Sequence, residues 1–135
     1  FTRMVGCVFR YFAANGGGHI VCITSIAGTK GLGPAPAYSA SKAMQNTYLQ
    51  ALEQLAISKH HNIHFTDIRP GFVDTPLLAG SSRLPMLMTT EKVARSILKA
   101  VDSHRHVCVI DTRWAVLTFL WRLIPNWIWR RMRLC

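Results

Sequence analysis

Helix-like and strand-like hydrophobic patterns alternate along the first part of the chain. From Phe1 to Ala14, apolar residues recur at helical spacing and predict an amphipathic helix. The run Asn15-Gly16-Gly17-Gly18 ends that helix, because these residues tolerate positive φ angles. His19 to Ile23 is short and rich in β-branched residues, which predicts a strand buried on both faces, as in a parallel sheet.

A glycine- and proline-rich loop from Ser25 to Pro36 separates that strand from a long helix. Residues 37–59 contain neither Gly nor Pro, and their apolar side chains recur at steps of four and three. The pattern predicts one helix whose buried stripe consists of Met44, Tyr48, Leu52 and Leu55.

The second half of the chain continues the same rhythm. Ile63 to Ile68 predicts a second strand, which Pro70-Gly71 ends. A helix capped by Thr89 or Thr90 and ending at about Ser103 precedes a third predicted strand, His106 to Ile110. Because each crossover helix returns the chain to the same edge of the sheet, this order predicts an α/β sandwich with parallel strands.

Composition adds a basic, tryptophan-rich tail to this picture. The hydrophobic share of 50% is enough for a globular core, and the formal net charge is +10. The last 23 residues carry no acid and contain five arginines and all four tryptophans: Arg113, Trp114, Trp121, Arg122, Trp127, Trp129, Arg130, Arg131 and Arg133. Because this charge lies in an apolar segment and not along a polar face, it favours an anionic membrane surface over nucleic acid as a partner. The four cysteines form no C-x-x-C pair and indicate neither a zinc site nor a disulfide framework.

Candidate acid-base chemistry begins with Tyr38 and Lys42, which stand four residues apart at the start of the long helix. Their side chains therefore share one helix face. A free phenol is a poor base near neutral pH, but a neighbouring ammonium favours the phenolate. Such a pair can serve as a general acid/base whose basicity is tuned by a cation, but a Tyr-x-x-x-Lys pair on a helix is commonplace, and only its combination with other elements is specific.

Ser25 and the turn after the second strand extend the candidate site. Ser25 lies at the carboxyl end of the first strand, where open α/β sheets bind their ligands, and its hydroxyl can polarise a carbonyl. The turn Pro70-Gly71-Phe72-Val73-Asp74-Thr75 follows the second strand at the same edge, and its backbone and the Thr75 hydroxyl can hold a cofactor amide. We therefore expect two strand ends to flank one crevice.

Three segments in this order resemble the short-chain dehydrogenase/reductase family: Thr24-Ser25-Ile26-Ala27-Gly28, Tyr38-Ser39-Ala40-Ser41-Lys42-Ala43 and Asp67-Ile68-Arg69-Pro70-Gly71-Phe72-Val73-Asp74-Thr75. The similarity extends from Phe1 to about Asp111. It implies that residues 1–112 are the C-terminal part of a Rossmann-like doubly wound parallel sheet, followed by an apolar and basic helical tail over residues 113–135. It also implies an oxidoreductase that uses NAD or NADP to transfer a hydride to or from a carbonyl or alcohol substrate.

The same resemblance assigns roles to individual residues. Tyr38 becomes the general acid/base, Lys42 assists that tyrosine and bonds the nicotinamide ribose, and Ser25 orients the substrate oxygen. The cofactor contacts implied are Tyr38, Lys42, Pro70, Gly71, Val73 and Thr75. No metal is implied.

Two family features are not found in these 135 residues. The family's catalytic asparagine precedes the serine by more residues than precede Ser25 here. The Gly-rich turn that binds the pyrophosphate at a helix N-terminus belongs on the order of a hundred residues further upstream. Gly16-Gly17-Gly18 does not replace it, because it precedes a strand instead of opening a helix. We therefore expect a fragment that holds the catalytic half and is inactive by itself.

Other readings of the sequence stay open. Ser39-Ala40-Ser41-Lys42 matches the S-x-x-K motif of penicillin-recognising acyl-transfer enzymes, although the companion S-D-N and K-T-G motifs are absent. A non-catalytic membrane-associated or scaffold protein can also retain a dehydrogenase framework. His60, His61 and His64 straddle a helix end and a strand start, where a solvated helix terminus is expected and not a metal site.

The remaining expectations concern partners and location. The apolar segment Pro76 to Met88 corresponds to the family's substrate loop and favours a small apolar carbonyl or alcohol. The resemblance implies a homo-oligomer, and we expect a cytoplasmic protein with peripheral membrane contact through residues 113–135. A helix from Trp114 to Trp129 would cover only about 24 Å of a hydrocarbon core roughly 30 Å thick, so it is expected to lie in the membrane interface. The alternative is a helix that covers the protein's own core or a partner subunit.

Overall fold

The computed structural model describes residues 1–76 and 84–133. In chain order, its elements are α1 (Thr2–Ala14), β1 (Gly18–Ile23), a short 3-10 helix (Ile26–Thr29), α2 (Pro36–Ser58), β2 (Ile63–Arg69), α3 (Thr90–Asp102), β3 (Val107–Val109), α4 (Thr112–Leu123) and α5 (Asn126–Trp129). The predicted strands and the first three helices agree with these bounds to about one residue. The 3-10 helix directly after Ser25, called the 3-10 turn below, was not predicted.

The three strands form one parallel sheet in the order β1-β2-β3. Ile23 pairs with Ile68, and Ile68 pairs with Cys108. The α/β fold with a parallel sheet is therefore confirmed. Because parallel strands end at a common edge, Ser25 and Pro70 leave the sheet next to each other.

Two apolar clusters cover the two faces of the sheet. Alternate residues of a strand point to opposite faces, so Phe65 and Ile68 of β2 belong to different clusters. α1 and α2 complete the first cluster, which contains Val5, Phe9, Ile20, Leu49, Leu52, Ala56, Ile63 and Phe65. α3 and α4 complete the second, which contains Ile26, Ile68, Met88, Val93, Ala100, Cys108, Ile110 and Trp114.

The buried side of α2 differs from the predicted stripe. Leu52 is buried as predicted, but Met44 and Leu55 are exposed, and Leu49 and Ala56 are buried instead. α2 carries apolar residues on more than one side, so their spacing alone did not select the core face. Packing against α1 and β2 selected it.

The prediction that β1 is buried on both faces is wrong. Ile20 lies in the core, but Val21 is exposed and Ile23 is 57% exposed. α1 packs against β1 on the core side, whereas α3, on the other side of the sheet, packs against β2. The outer face of β1 is therefore left accessible to solvent in the described part of the chain.

The tail forms two helices joined at Pro125, and among residues 1–76 and 84–133 no helix is long and apolar enough to span a membrane. Asp111 caps α4: its carboxylate accepts a hydrogen bond from the Arg113 backbone N–H at 3.0 Å. The same carboxylate pairs with Lys92 at 2.5 Å and with the Arg113 guanidinium at 3.0 Å. The hydrogen bonds from Arg113 and Lys92 hold the pKa of Asp111 well below its usual range. This one side chain thus joins α3 to α4.

We expect Asp111→Asn to lower the free energy of unfolding at pH 7 by about 1 kcal/mol or less. Asparagine keeps the capping oxygen and tolerates the positive φ of 75° at this position, so the variant removes mainly the charge. Because the folded-state pKa is depressed, the charge contribution is complete above the unfolded pKa of about 3.9 and is lost as the pH falls through the folded value. Urea unfolding of the parent protein and of Asp111→Asn at pH 7 and pH 2 measures this contribution. An equal difference in the free energy of unfolding at both pH values would contradict the assignment to charge.

Candidate active site

Tyr38 and Lys42 lie in the first two turns of α2, which Pro36 opens. The Lys42 Nζ is 5.8 Å from the centroid of the Tyr38 ring and donates a hydrogen bond of 3.4 Å to the carbonyl of Ile23, at the end of β1. Tyr38 is 48% exposed. The helix therefore presents an accessible phenol beside an ammonium group that is tied to the carboxyl edge of the sheet.

Ser25 caps the 3-10 turn and is held from two sides. Its Oγ accepts a hydrogen bond from the Ala27 backbone N–H at 3.1 Å, and its carbonyl accepts one from Gly28 at 3.3 Å. The same Oγ lies 3.5 Å from the carbonyl of Pro70, which also accepts a hydrogen bond from the Ile26 N–H at 3.2 Å. The turn thus fixes the serine and links it directly to the end of β2.

Gly28 brings the 3-10 turn against α2. A Cβ atom at Gly28 would lie 2.6 Å from the Lys42 backbone carbonyl and 2.5 Å from the Asn46 Nδ2. Only a residue without a side chain allows the turn and the helix to approach this closely. The contact places Ser25 and the Tyr38–Lys42 pair at one edge of the sheet, as expected from the sequence.

The predicted cofactor turn lies at the same edge. Pro70 contacts the serine turn as described, and Gly71 packs so closely on Trp114 that a Cβ would lie 2.4 Å from the indole. Val73 forms a single parallel bridge with Met88, and Thr75 is half-buried. Pro70 and Gly71 therefore adjoin Ser25, while Val73 and Thr75 lie further along the segment. Of the predicted substrate segment Pro76 to Met88, residues 77–83 lie outside the described residues.

A buried polar network that the sequence pattern did not predict lies beneath these loops. Asp67 is buried in β2 and accepts hydrogen bonds from the Thr24 hydroxyl and from the Arg69 Nε, the latter at 2.8 Å. Arg69 also pairs with Asp67 through Nη2 at 2.6 Å. The network joins the residue before Ser25 to the residue before Pro70. Polar residues at buried strand positions were the signal for it.

Asn46 is a second polar residue that the sequence analysis did not single out. It lies one helical turn after Lys42, is buried, and within the described ranges neither its Nδ2 nor its Oδ1 has a hydrogen-bond partner in the protein. It lines a cavity of about 460 Å³ that also contains Asp67, Arg69, Glu53 and His106. Unpaired polar groups in a polar cavity of this size are suited to ordered water.

Ser39, the nucleophile of the acyl-transfer alternative, is buried and engaged with the backbone. Its hydroxyl accepts a hydrogen bond from the Leu32 N–H at 3.2 Å and donates one to the Pro36 carbonyl at 3.1 Å. Lys42 makes its hydrogen bond to Ile23 and not to Ser39. This geometry argues against a reactive serine at position 39.

The fold also assembles histidines that are far apart in the sequence. The ring centroids of His19 and His104 are 4.9 Å apart, and those of His64 and His104 are 4.8 Å apart. Burial and the neighbouring rings of His104 and His64 lower the pKa of His19, whose Nε2 lies 2.8 Å from the Thr66 hydroxyl. In the part of the chain that the structure describes, no group of three His, Cys, Asp or Glu side chains is placed to hold a metal ion.

Taken together, the fold and the site define a Rossmann-like α/β protein with a serine, a tyrosine and a lysine at the carboxyl edge of its parallel sheet. Residues 1–84 match the sequence model of the family described as short chain dehydrogenase. The chain belongs to this short-chain dehydrogenase/reductase family.

Two curated relatives show the extent of the similarity. An uncharacterized oxidoreductase of Myxococcus xanthus is 32% identical over 110 residues, which cover 81% of this chain and 43% of the relative. The short-chain dehydrogenase/reductase family 16C member 6 of Bos taurus is 31% identical over 114 residues, covering 81% of this chain and 36% of the relative. The chain thus spans less than half the length of these relatives.

Solved structures share the fold at low sequence identity. A short chain dehydrogenase from Burkholderia cenocepacia in complex with NADP superposes with a TM-score of 0.76 and 16% identity, over 99% of this chain and 57% of that one. A short-chain dehydrogenase from Sphingobium yanoikuyae in complex with NADPH gives a TM-score of 0.72 and 22% identity, over 98% and 52% of the two chains.

We expect Gly28→Ala to lower the free energy of unfolding by about 1–3 kcal/mol, because the added methyl group overlaps the backbone of α2. Gly33→Ala is the matched control: the same loop contains Gly33, and a Cβ there meets no atom within 4 Å. Urea unfolding followed by circular dichroism measures both variants. If the two substitutions had the same effect, the close packing of the 3-10 turn on α2 would be contradicted.

Proposed function

We propose that this chain supplies the proton-transfer half of an NAD(P)-dependent oxidoreductase that interconverts a carbonyl and an alcohol. The observation that carries the proposal is the convergence of Ser25, Tyr38 and Lys42 at the carboxyl edge of a parallel sheet. Ligands of open α/β sheets bind at this edge. Membership of the short-chain dehydrogenase/reductase family supports the same chemistry.

Each residue has a defined part in the proposed reaction. The Ser25 Oγ accepts from the Ala27 N–H, and its own proton, which points to the Pro70 carbonyl at 3.5 Å, can bond the substrate oxygen instead. The Tyr38 hydroxyl gives its proton to that oxygen during reduction and takes it back during oxidation. The Lys42 ammonium group stabilises the phenolate that forms in between. Bound NAD(P) supplies or accepts the hydride.

The residues present fit the nicotinamide end of the cofactor. Lys42 has three N–H donors, and the described part of the chain engages one of them, with Ile23, so two can bond the ribose hydroxyls. Tyr38, Pro70, Gly71, Val73 and Thr75 are the other proposed contacts. The similarity to dehydrogenase structures solved with NADP and NADPH supports this assignment.

The pyrophosphate end of the cofactor has no counterpart here. No Gly-rich turn that follows a strand and opens a helix occurs in these 135 residues. We propose that residues 1–112 act together with a cofactor-binding half outside this chain, and that they are inactive without it. We further propose a small apolar substrate, because the segment Pro76 to Met88 is rich in apolar residues. Membership of the family supports our proposal of a homo-oligomer.

In the full-length enzyme, we expect Tyr38→Phe to lower turnover on the order of a hundredfold or more, because it removes the transferable proton and keeps the ring. Cofactor binding by Tyr38→Phe should survive. Lys42→Ala should lower turnover and also weaken cofactor binding. Steady-state kinetics and cofactor fluorescence measure the two effects. Tyr11→Phe, an exposed tyrosine on α1, is the control. Near-normal turnover by Tyr38→Phe would favour the scaffold alternative.

A second function is favoured by the outer surface of α4. Trp114 and Thr118 of this helix are buried against the protein. Its other side carries Val116, Phe119, Leu120 and Leu123, all exposed, with Phe119 and Leu123 at 64%. Both readings of the tail thus have support: one face covers the core, and the opposite face is apolar and open.

The charges around this face indicate its partner. Arg130, Arg131 and Arg133 form no salt bridge with residues of the described ranges, whereas Arg122 lines the polar cavity that contains Glu53 and Asp67. Residues 112–135 contain no acid, so the tail is uniformly cationic. We propose that it contacts an anionic membrane surface, where each arginine contributes on the order of 1 kcal/mol and the apolar side chains enter the interface.

We expect the protein to float with vesicles that contain phosphatidylserine, and less at high salt. Combining Phe119→Ser with Leu123→Ser should reduce the floated fraction at least fivefold, because it removes apolar surface that inserts. The control combines Met4→Ser with Ile57→Ser, at equally exposed apolar positions on α1 and α2. Equal losses in both double variants, or no flotation of the parent, would contradict a specific membrane face.

A further inference from the structure

Three indole N–H groups of the tail donate hydrogen bonds to loops beside the catalytic residues. Trp121 Nε1 donates to the Thr29 hydroxyl at 2.8 Å, and Trp129 Nε1 donates to the Gly31 carbonyl at 2.7 Å. Trp114 Nε1 donates to the Met86 carbonyl at 3.3 Å. All three acceptors lie in loops that follow β1 or β2, so the inner face of the tail is joined to both sides of the catalytic edge.

The contact of Trp121 continues as a chain of hydrogen bonds. The Thr29 hydroxyl accepts from Trp121 and donates to the Ile26 carbonyl at 2.7 Å. The Ile26 N–H in turn donates to the Pro70 carbonyl at 3.2 Å. Ser25 precedes Ile26 directly, so this chain runs from the tail through the 3-10 turn to the end of β2.

Further contacts hold the same loops to the tail. The Lys30 Nζ donates to the Ile124 carbonyl at 2.8 Å and to the Asn126 Oδ1 at 2.9 Å, and lies 5.6 Å from the centroid of the Trp129 ring. Trp121 and Trp129 meet edge to face at 5.9 Å. The loop after Ser25 is therefore attached to the tail at three consecutive residues, 29 to 31.

The fourth tryptophan shows that these contacts are selective. Trp127 is 64% exposed, and its indole makes no hydrogen bond in the residues that the structure describes, whereas its neighbour Trp129 is buried. Indole groups that are buried usually find an acceptor for their N–H. Here the buried Trp114 and Trp129 and the half-buried Trp121 find it in the loops at the proposed active edge.

We infer that Trp121 is a positioning residue for Ser25: its N–H, acting through the Thr29 hydroxyl, holds the 3-10 turn in the geometry that presents the serine hydroxyl to the substrate. This inference rests on the proposed catalytic function. It makes the tail part of the catalytic unit, in addition to any contact that its outer face makes with a membrane. Tyr38 and Lys42 belong to α2 and do not depend on this hydrogen bond.

The test uses Trp121→Phe and Thr29→Val, singly and together, in the full-length enzyme. Each single variant removes one partner of the bond and keeps most of the side-chain volume, so we expect kcat to fall about fivefold. The double variant should fall no further than Thr29→Val alone, because that variant already removes the Trp121 bond together with the bond from the Thr29 hydroxyl to the Ile26 carbonyl. The KM for the cofactor should stay within twofold, since the proposed ribose contacts lie on α2. Thr29→Ser, which retains the hydroxyl, should restore kcat.

Hydrogen exchange supplies a readout apart from activity. The amides of Ala27 and Gly28, which bond to Ser25, should exchange at least fivefold faster in Trp121→Phe and Thr29→Val. Trp127→Phe is the matched control and should change neither exchange nor kcat. Unchanged exchange at these amides, additive effects in the double variant, or an equal loss in Trp127→Phe would each overturn the inference. If Tyr38→Phe also retained turnover in the same enzyme, the proposed function itself would fail, and the exchange data would still decide the structural link.

Discussion

The parallel pairing of β1 with β2 is the constraint on which the rest of the structure depends. Because Ile23 pairs with Ile68, the two strands end together, and Ser25 and Pro70 leave the sheet as neighbours. A shift of the register by one residue would move every side chain of β1 to the other face and would separate these two residues. The edge at which Ser25 and Pro70 meet therefore exists only as long as this register is kept.

Buried polar groups reinforce the register where the strands end. The Thr24 hydroxyl donates to Asp67, and Arg69 neutralises the charge of the same carboxylate. A buried carboxylate is costly unless it is both paired and hydrogen-bonded. A slipped pairing would leave Asp67 with fewer partners, so this network favours one alignment over its neighbours.

The loop after β1 obtains its order from two neighbouring elements. On one side, Gly28 lies against the backbone of α2, which brings the 3-10 turn to Lys42. On the other side, Trp121 and Trp129 of the tail bond to Thr29 and Gly31.

The tail has two faces with different environments, because an amphipathic helix can cover a loop with one side and present the other to a partner. Its role in the fold and its proposed role at a membrane are compatible.

Much of this architecture could be read from local pattern. The positions of the strands and helices follow from periodicity and chain breakers. They also give the edge at which Ser25 and Pro70 emerge. Helix geometry places Tyr38 and Lys42 on one helix face. All of these depend only on nearby residues. The buried stripe of α2 did not follow, because Leu49 and Ala56 are chosen over Met44 and Leu55 by packing against α1 and β2. The exposure of Ile23 depends on which faces of the sheet are covered. The contact of His19 with His104 and the hydrogen bond between Trp121 and Thr29 join residues that are distant in sequence. Local spacing carries no information about such contacts, so only the tertiary structure decided them.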